Sequence, residues 1–297
     1  MKKICSLLAL FVMLSTWIWA QTNSGAKRYA MYGVAFYNLE NLFDTLHDAG
    51  KNDYEFLPDG ANKWGKMKYE AKLKNMAKVL SQLCTDKLPM GPVVVGLSEV
   101  ENHNVLEDLL KQEALEKRGW KYVTVPSFDR RGVECSFLYN PKLFKMEEYR
   151  MVPYYYLDPK QPEVDLGFWV DDNKKVHPFN TLKGDTRYIT RGFLVMTGQL
   201  AGERVHFIVN HWPSRAAASP ARERAGYQVA KLKDALLAED PQSSVIIMGD
   251  LNDDPKDPAI TKALGAMSKV SDVKQRNDLY NPFYDTLYKV GQGTLLY

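Results

Sequence analysis

Four short apolar runs, each stopping on a residue able to hold a cation or an anion, constrain this chain more than any other feature. Val34 to Tyr37 stops at Asn38, and PVVVGL (92–97) stops at Ser98 and Glu99. VHFIV (205–209) stops at Asn210 and His211, and SVIIM (244–248) runs into Gly249, Asp250 and Asn252. Unbroken apolar runs of this length read as strands buried on both faces. Polar groups just past strand ends lie on exposed turns held by a rigid scaffold, where sites are built. The donors are carboxylate, amide and imidazole, with no thiol among them. That set suits a hard cation such as Mg²⁺, which prefers oxygen ligands and keeps several waters.

Helical patterns alternate with these strands. Residues 66–83 place Leu73, Met76, Ala77, Leu80 and Leu83 on one stripe, and residues 103–117 turn Val105, Leu106, Leu109 and Leu110 inward. Val133 to Tyr139 is a strand halted by Asn140 and Pro141. Phe193 to Leu200 and Val205 to Val209 flank Ala201-Gly202-Glu203 and predict a β-hairpin. Ser219 as cap and Pro220 as first residue predict a helix carrying Ala225, Val229, Leu232 and Leu236 inward. Residues 44–63 are polar and rich in Gly and Asp, a loop. The expected class is α/β or α+β, with mixed sheets around one core spanning residues 29–297.

The N-terminus belongs to no core. Lys2 and Lys3 precede an apolar stretch, Leu7 to Leu14, and Ala20-Gln21 is a cleavage-type junction. Residues 1–20 therefore read as a secretory signal peptide, followed by a polar leader over 21–28. The stretch from Ile4 to Ala20 is shorter than the ~20 apolar residues of a membrane span. The expected location is periplasmic or extracellular. Loss of Lys2 and Lys3 would take the formal net charge from +3 to about +1. Such a balance argues against a broad basic footprint for nucleic acid and leaves a local patch or a small substrate. Cys84 and Cys135 could pair in an oxidising compartment, but both read more simply as small buried side chains.

FYNLENLFD (36–44), VVVGLSEVEN (93–102), DRRGVECSFLYNP (129–141), VNHWPSR (209–215) and IMGDLNDDP (247–255) occur in one order along the chain. In that order they resemble the successive motifs of the endonuclease/exonuclease/phosphatase superfamily, and the insert through Phe56-Leu57-Pro58, Trp64 and the helix beyond resembles a secreted bacterial subgroup. The likeness runs from about Met31 to the C-terminus. It implies a four-layer sandwich, two facing mixed β-sheets flanked by helices, with the site at one edge between the sheets. It also implies Glu99 as metal carboxylate and Asn38 as support for metal or phosphate. His211 would hydrogen-bond the scissile phosphate, Asp250 would orient or deprotonate water, and Asn252 would position water or phosphate. Asn210, Arg131 and Arg215 are expected phosphate contacts, and Arg191 is a further candidate, since guanidinium pairs two oxygens at once. The implied cofactor is Mg²⁺, with Mn²⁺ as its alternative. The implied partner is a phosphate-ester substrate, DNA and RNA included, with no stable protein partner.

Each residue also has a plainer role. Asn38 could end a strand, Glu99 or Glu101 could be a solvated acid at a helix start, and His211 could pack in a loop. Asp250 and Asn252 could be turn residues, and Asp253 and Asp254 solvated acids. The superfamily closes with an Asp-His pair after a last strand. This sequence ends at Gly293-Thr294-Leu295-Leu296-Tyr297, which resembles the strand before that pair. None of His47, His103, His177, His206 and His211 has the context of the pair's His, and Asp272, Asp278 and Asp285 compete for the Asp that orients it. Two readings stay open: a piece of a longer active enzyme, and a binding pseudoenzyme on the same fold. Among active readings, a nuclease or phosphodiesterase leads, with a phosphatase or sphingomyelinase-like lipid phosphodiesterase as alternative.

Overall fold

The computed structural model describes residues 30–155, 168–170, 176–178 and 189–293. The expected signal peptide, the polar leader and the last four residues lie outside the described residues, as does the side chain of His177. Residues 33–297 make one compact unit, and of the other unit, residues 1–32, only Ala30 to Tyr32 are described.

Two mixed sheets form the frame. The first joins β1 (Val34–Leu42), β2 (Val94–Val100), β3 (Lys121–Thr124) and β4 (Glu134–Tyr139) in the order β1-β2-β4-β3. The second joins β5 (Phe144–Tyr155), β6 (Phe168–Val170), β7 (Val176–Pro178), β8 (Ile189–Leu200), β9 (Glu203–His211) and β10 (Ser244–Asp250) in the order β10-β9-β8-β5-β6-β7. β1 runs parallel to β2, and β10 runs parallel to β9, while the remaining pairs in the two sheets are antiparallel. Among the described residues the α-helices of four residues or more are, in chain order, α1 (Lys66–Gln82), α2 (His103–Leu110), α3 (Glu113–Glu116) and α4 (Ser219–Glu239).

Alternation along the strands divides the apolar residues into three cores. Val94, Phe137, Leu194, Phe207 and Val209 meet between the sheets. Val95, Leu97 and Leu138 point the other way, onto Tyr69, Leu73, Ala77 and Leu80 of α1 and Leu106 and Leu109 of α2. Val195 and Ile208 point away from the interface onto Ala225, Val229, Leu232 and Leu236 of α4. The result is helices, sheet, sheet, helices: the four layers expected. Each fully buried leucine of the helix stripes contributes about 1.5–3 kcal/mol. At Gly96 the sheets approach so closely that a Cβ would stand 2.5 Å from Met248 Sδ. That contact brings β2 against β10.

Local outcomes differ from expectation in several places. The helix expected over 103–117 is two helices, α2 and α3, which break at Lys111 and Gln112. At the hairpin, Ala201 and Gly202 both take positive φ (53° and 87°), as a two-residue turn matched to strand twist requires. α4 begins at its expected cap, one residue early. Ala218 is the N-cap, and the Ser219 hydroxyl donates to Glu223 Oε1 instead of capping. Cys84 and Cys135 are both free, the first half-buried and the second buried. Tyr154 of β5 is a buried core residue whose hydroxyl donates to Ala221 O.

Glu101 is 3% exposed, so a solvated acid at a helix start is the wrong description of it. Its Oε2 accepts the Asp44 backbone N–H at 2.7 Å, and its Oε1 has no partner among the described residues. Burial, together with the charges of Asp44, Asp48 and Asp53, pushes its pKa from 4.5 up to about 8. At pH 7 the folded state therefore holds a proton that the unfolded chain has released. Stability from this group is complete below pH 4.5 and is lost as pH rises through about 8. Glu101→Gln removes that dependence and can donate to the neighbouring carboxylates. It is expected to stabilise the fold by about 1–3 kcal/mol at pH 8 and by little at pH 4. Urea unfolding at the two pH values checks this; an equal effect at both would refute it.

Candidate active site

The C-terminal ends of β1, β2, β9 and β10 share one edge of the sandwich. The parallel registers fix this: Asn38 lies opposite Ser98, and Asp250 opposite His211. Both strands of the first sheet then leave regular geometry. β1 shifts register between Asn38 and Leu42, and β2 pairs irregularly with β4 between Leu97 and Val100. Glu40, Asn41, Glu99 and Asn252 all adopt left-handed φ (52°, 59°, 60° and 51°). Such conformations cost non-glycine residues about 1–3 kcal/mol each and cluster at functional sites.

The side chains converge from both sheets. Asn38 Nδ2 donates to Glu99 Oε1 at 3.2 Å and to Asp250 Oδ2 at 3.1 Å. Its Oδ1 accepts the Glu40 backbone N–H at 2.7 Å, which fixes the amide orientation. His211 Nε2 stands 3.4 Å from Glu99 Oε1. Asp250 Oδ1 accepts the Asn252 backbone N–H at 3.0 Å, and Asn252 Nδ2 donates to Trp212 O at 3.1 Å. Burial, followed by the positive charges of Arg191 and Arg131, holds the His211 pKa well below its ordinary 6.5. The imidazole is therefore neutral at physiological pH, with Nε2 facing Glu99.

Asn38, Glu99, His211, Asp250 and Asn252 are thus brought together. Arg131 and Arg191 flank them, tied through Asp129: Arg191 Nε donates to Asp129 Oδ2 at 2.7 Å, and Arg131 Nε lies 3.7 Å from Asp129 Oδ1. Asn210 is not brought to this group. It is 0% exposed, and its amide bonds Met248 O, Ile208 O and the Trp212 indole N–H. Arg215 lies at the rim, held by Asn252 O and by Asp254 at 3.1 Å. Asp253 is not a solvated acid: its side chain is 3% exposed and takes Arg222 Nε at 2.6 Å.

Sequence reasoning passed over two contributors. Asp129 sits inside a quoted motif, one position before the paired arginines Arg130 and Arg131, and that juxtaposition was the available signal. Lys72 reaches from α1 to donate to Glu40 O at 2.6 Å, with its ammonium 5.8 Å from the Trp64 ring centroid. Its place within a lysine-rich helix face concealed it.

Among the described residues no three or more His, Cys, Asp or Glu side chains form a group able to hold a metal ion. Two carboxylates bridged by one amide nevertheless fit Mg²⁺, which binds proteins through one or two carboxylates and completes its octahedron with water. They do not fit structural Zn²⁺, which needs four protein ligands. Among the described residues, no helix is long and apolar enough to cross a membrane.

Comparison with family models matches the Endonuclease/Exonuclease/phosphatase family over residues 33–166 and 167–297. No curated protein sequence matches the chain. Among solved structures, an endonuclease/exonuclease/phosphatase family protein from Bacteroides thetaiotaomicron is 18% identical. That match covers 80% of this chain and 66% of the other, with TM-score 0.48. The human Nocturnin catalytic domain with bound sulfate is 13% identical over 64% of this chain and 60% of its own, with TM-score 0.42. TDP2 from C. elegans is 14% identical over 65% and 45%, with TM-score 0.41. The chain thus spans less than two thirds of the length of these last two proteins. With the family matched over residues 33–297, and two facing mixed sheets that meet at one polar edge, this chain belongs to the endonuclease/exonuclease/phosphatase family.

Proposed function

We propose that the protein is an exported, metal-dependent hydrolase of phosphate esters, acting as a nuclease or phosphodiesterase. One observation carries the reading: a single amide, Asn38, ties Glu99 of one sheet to Asp250 of the other, with neutral His211 against Glu99. Glu99 and Asn38 would hold Mg²⁺ or Mn²⁺, which when bound offsets charge on the phosphate oxygens. Asp250, fixed by Asn38 and by the Asn252 N–H, orients the attacking water and accepts its proton. His211 donates from Nε2 to a phosphate oxygen, an interaction that strengthens as charge grows in the transition state. Asn252 acts through Asp250 and Trp212, which its backbone and side-chain N–H groups hold. Arg131 is the phosphate contact. Arg215 meets only the outer part of a long substrate.

The near-even charge of the chain favours a second reading, a phosphatase or lipid phosphodiesterase with a small substrate. DNA, RNA, a simple aryl diester, monoesters, inositol phosphates and sphingomyelin would be offered to the protein with and without EDTA. Hydrolysis is expected to cease in EDTA and to return with Mg²⁺ or Mn²⁺. Turnover indifferent to EDTA would refute metal dependence, and preference for a monoester or for sphingomyelin would favour the second reading.

A further inference from the structure

Arg131 and Arg191 come from different sheets, Arg131 just before β4 and Arg191 on β8, yet both grip one carboxylate. Asp129 is 5% exposed. Its Oδ2 takes Arg191 Nε at 2.7 Å, and its Oδ1 takes the Arg131 backbone N–H at 2.8 Å, with Arg131 Nε 3.7 Å away. Arg191 Nη1 then donates to the carbonyl of Trp212, the residue after His211, at 3.2 Å. Arg131 Nη1 donates to Asn41 Oδ1 at 3.3 Å, on the left-handed turn that follows Asn38. Each guanidinium is thereby anchored at both ends beside the polar edge of the sandwich. The Nη2 group of each has no protein partner among the described residues. Asp129 and nearby Glu134 stand against Arg131, Arg191 and Lys51, so the cluster keeps a surplus positive charge.

We propose that Asp129 is a positioning residue that holds Arg191 beside Arg131 as a two-guanidinium seat for the substrate's phosphate anion. The assignment rests on the hydrolase reading and deepens it. A planar guanidinium pairs two oxygens in a fixed fork, so its usefulness depends on orientation, which a buried carboxylate at Nε supplies. Asp129 also offsets one of the two positive charges, which keeps the seat from holding product phosphate too firmly.

The test measures inorganic phosphate binding to the full chain by calorimetry, alongside kcat and KM on a hydrolysed substrate. Arg191→Met is expected to weaken phosphate binding by about tenfold to hundredfold, the loss of a charged hydrogen bond, and Arg191→Lys to restore part of it. Asp129→Asn keeps both positive charges but frees them. It is expected to lower kcat by about tenfold to hundredfold while phosphate affinity stays at or above the wild-type level. A merely structural Asp129 would show a lower melting temperature with kcat unchanged, and that result overturns the assignment. Phosphate affinity unaltered in Arg191→Met and Arg191→Lys overturns it as well. If Arg191→Met does not fold, Arg191→Lys decides alone, because lysine cannot fork and should bind phosphate more weakly than arginine. A chain that hydrolyses nothing yet binds phosphate through Arg191 would sink the hydrolase reading and leave the arginine seat standing.

Discussion

Asp250→Asn is expected to lower kcat by about 10²–10⁴-fold, the range in which a positioned general base contributes, in a chain that still folds. The aspartate accepts at both oxygens: Asn38 Nδ2 at 3.1 Å on Oδ2 and the Asn252 N–H at 3.0 Å on Oδ1. An asparagine of the same shape offers one acceptor and one donor. One of the two contacts then sets donor against donor unless the Asn38 amide turns over, and turning it would break its bond from the Glu40 N–H. The variant also removes the charge that would draw a proton from water. Steady-state kinetics at saturating Mg²⁺, paired with thermal melts, check the claim. Turnover near the wild-type level would mean that another group orients the water and that the site is misplaced.

Gly249→Ala should do more to the fold than any single exchange at the site's rim. Gly249 takes φ +150°, and a Cβ there would stand 2.2 Å from Asn210 O and 2.7 Å from Asn210 Cβ. Asn210 lies directly opposite in the β9–β10 register and cannot retreat, because its amide is bonded to Met248 O and to the Trp212 indole. Strain in a conformation that alanine rarely adopts, together with displacement of Asn210, should cost about 3 kcal/mol. For a domain of this size that is a fall in melting temperature on the order of 10 °C. The displaced strand ends carry Asp250 and His211, so activity should fall with stability. A melting temperature within about 2 °C of wild type would show that the two strands part at no cost.

The sequence made the frame legible because its signals are local. The leucine stripe of α1, the hairpin turn at Ala201-Gly202 and the apolar strands each follow from a few neighbouring residues, and all appear in the structure. The strand-end donors were legible for the same reason, as polar residues that interrupt buried runs. Side-chain direction beyond those ends was not. In a regular strand Glu99 and Glu101 would share a face, but the left-handed turn at Glu99 breaks the alternation. One carboxylate then reaches Asn38 and the other is buried against the 44–53 loop. Asn210 and His211 are adjacent, so a strand sends them to opposite sides, and register alone decides which one meets Glu99. Asp129, Arg222 and Asp253 were missed because their partners lie far away in the chain, and no local pattern announces a long-range ion pair.

Four residues around the site hold their backbones in a conformation that glycine adopts freely and other residues only under strain. A search for heat-resistant variants by melting temperature alone would therefore be drawn to glycine at 40, 41, 99 and 252. At Glu99 and Asn252 each such gain would erase a group to which the proposed chemistry gives a role. Robustness and turnover thus pull against each other at these positions. Improvement is better sought in the helices and outer cores, where a sturdier scaffold leaves the working edge untouched.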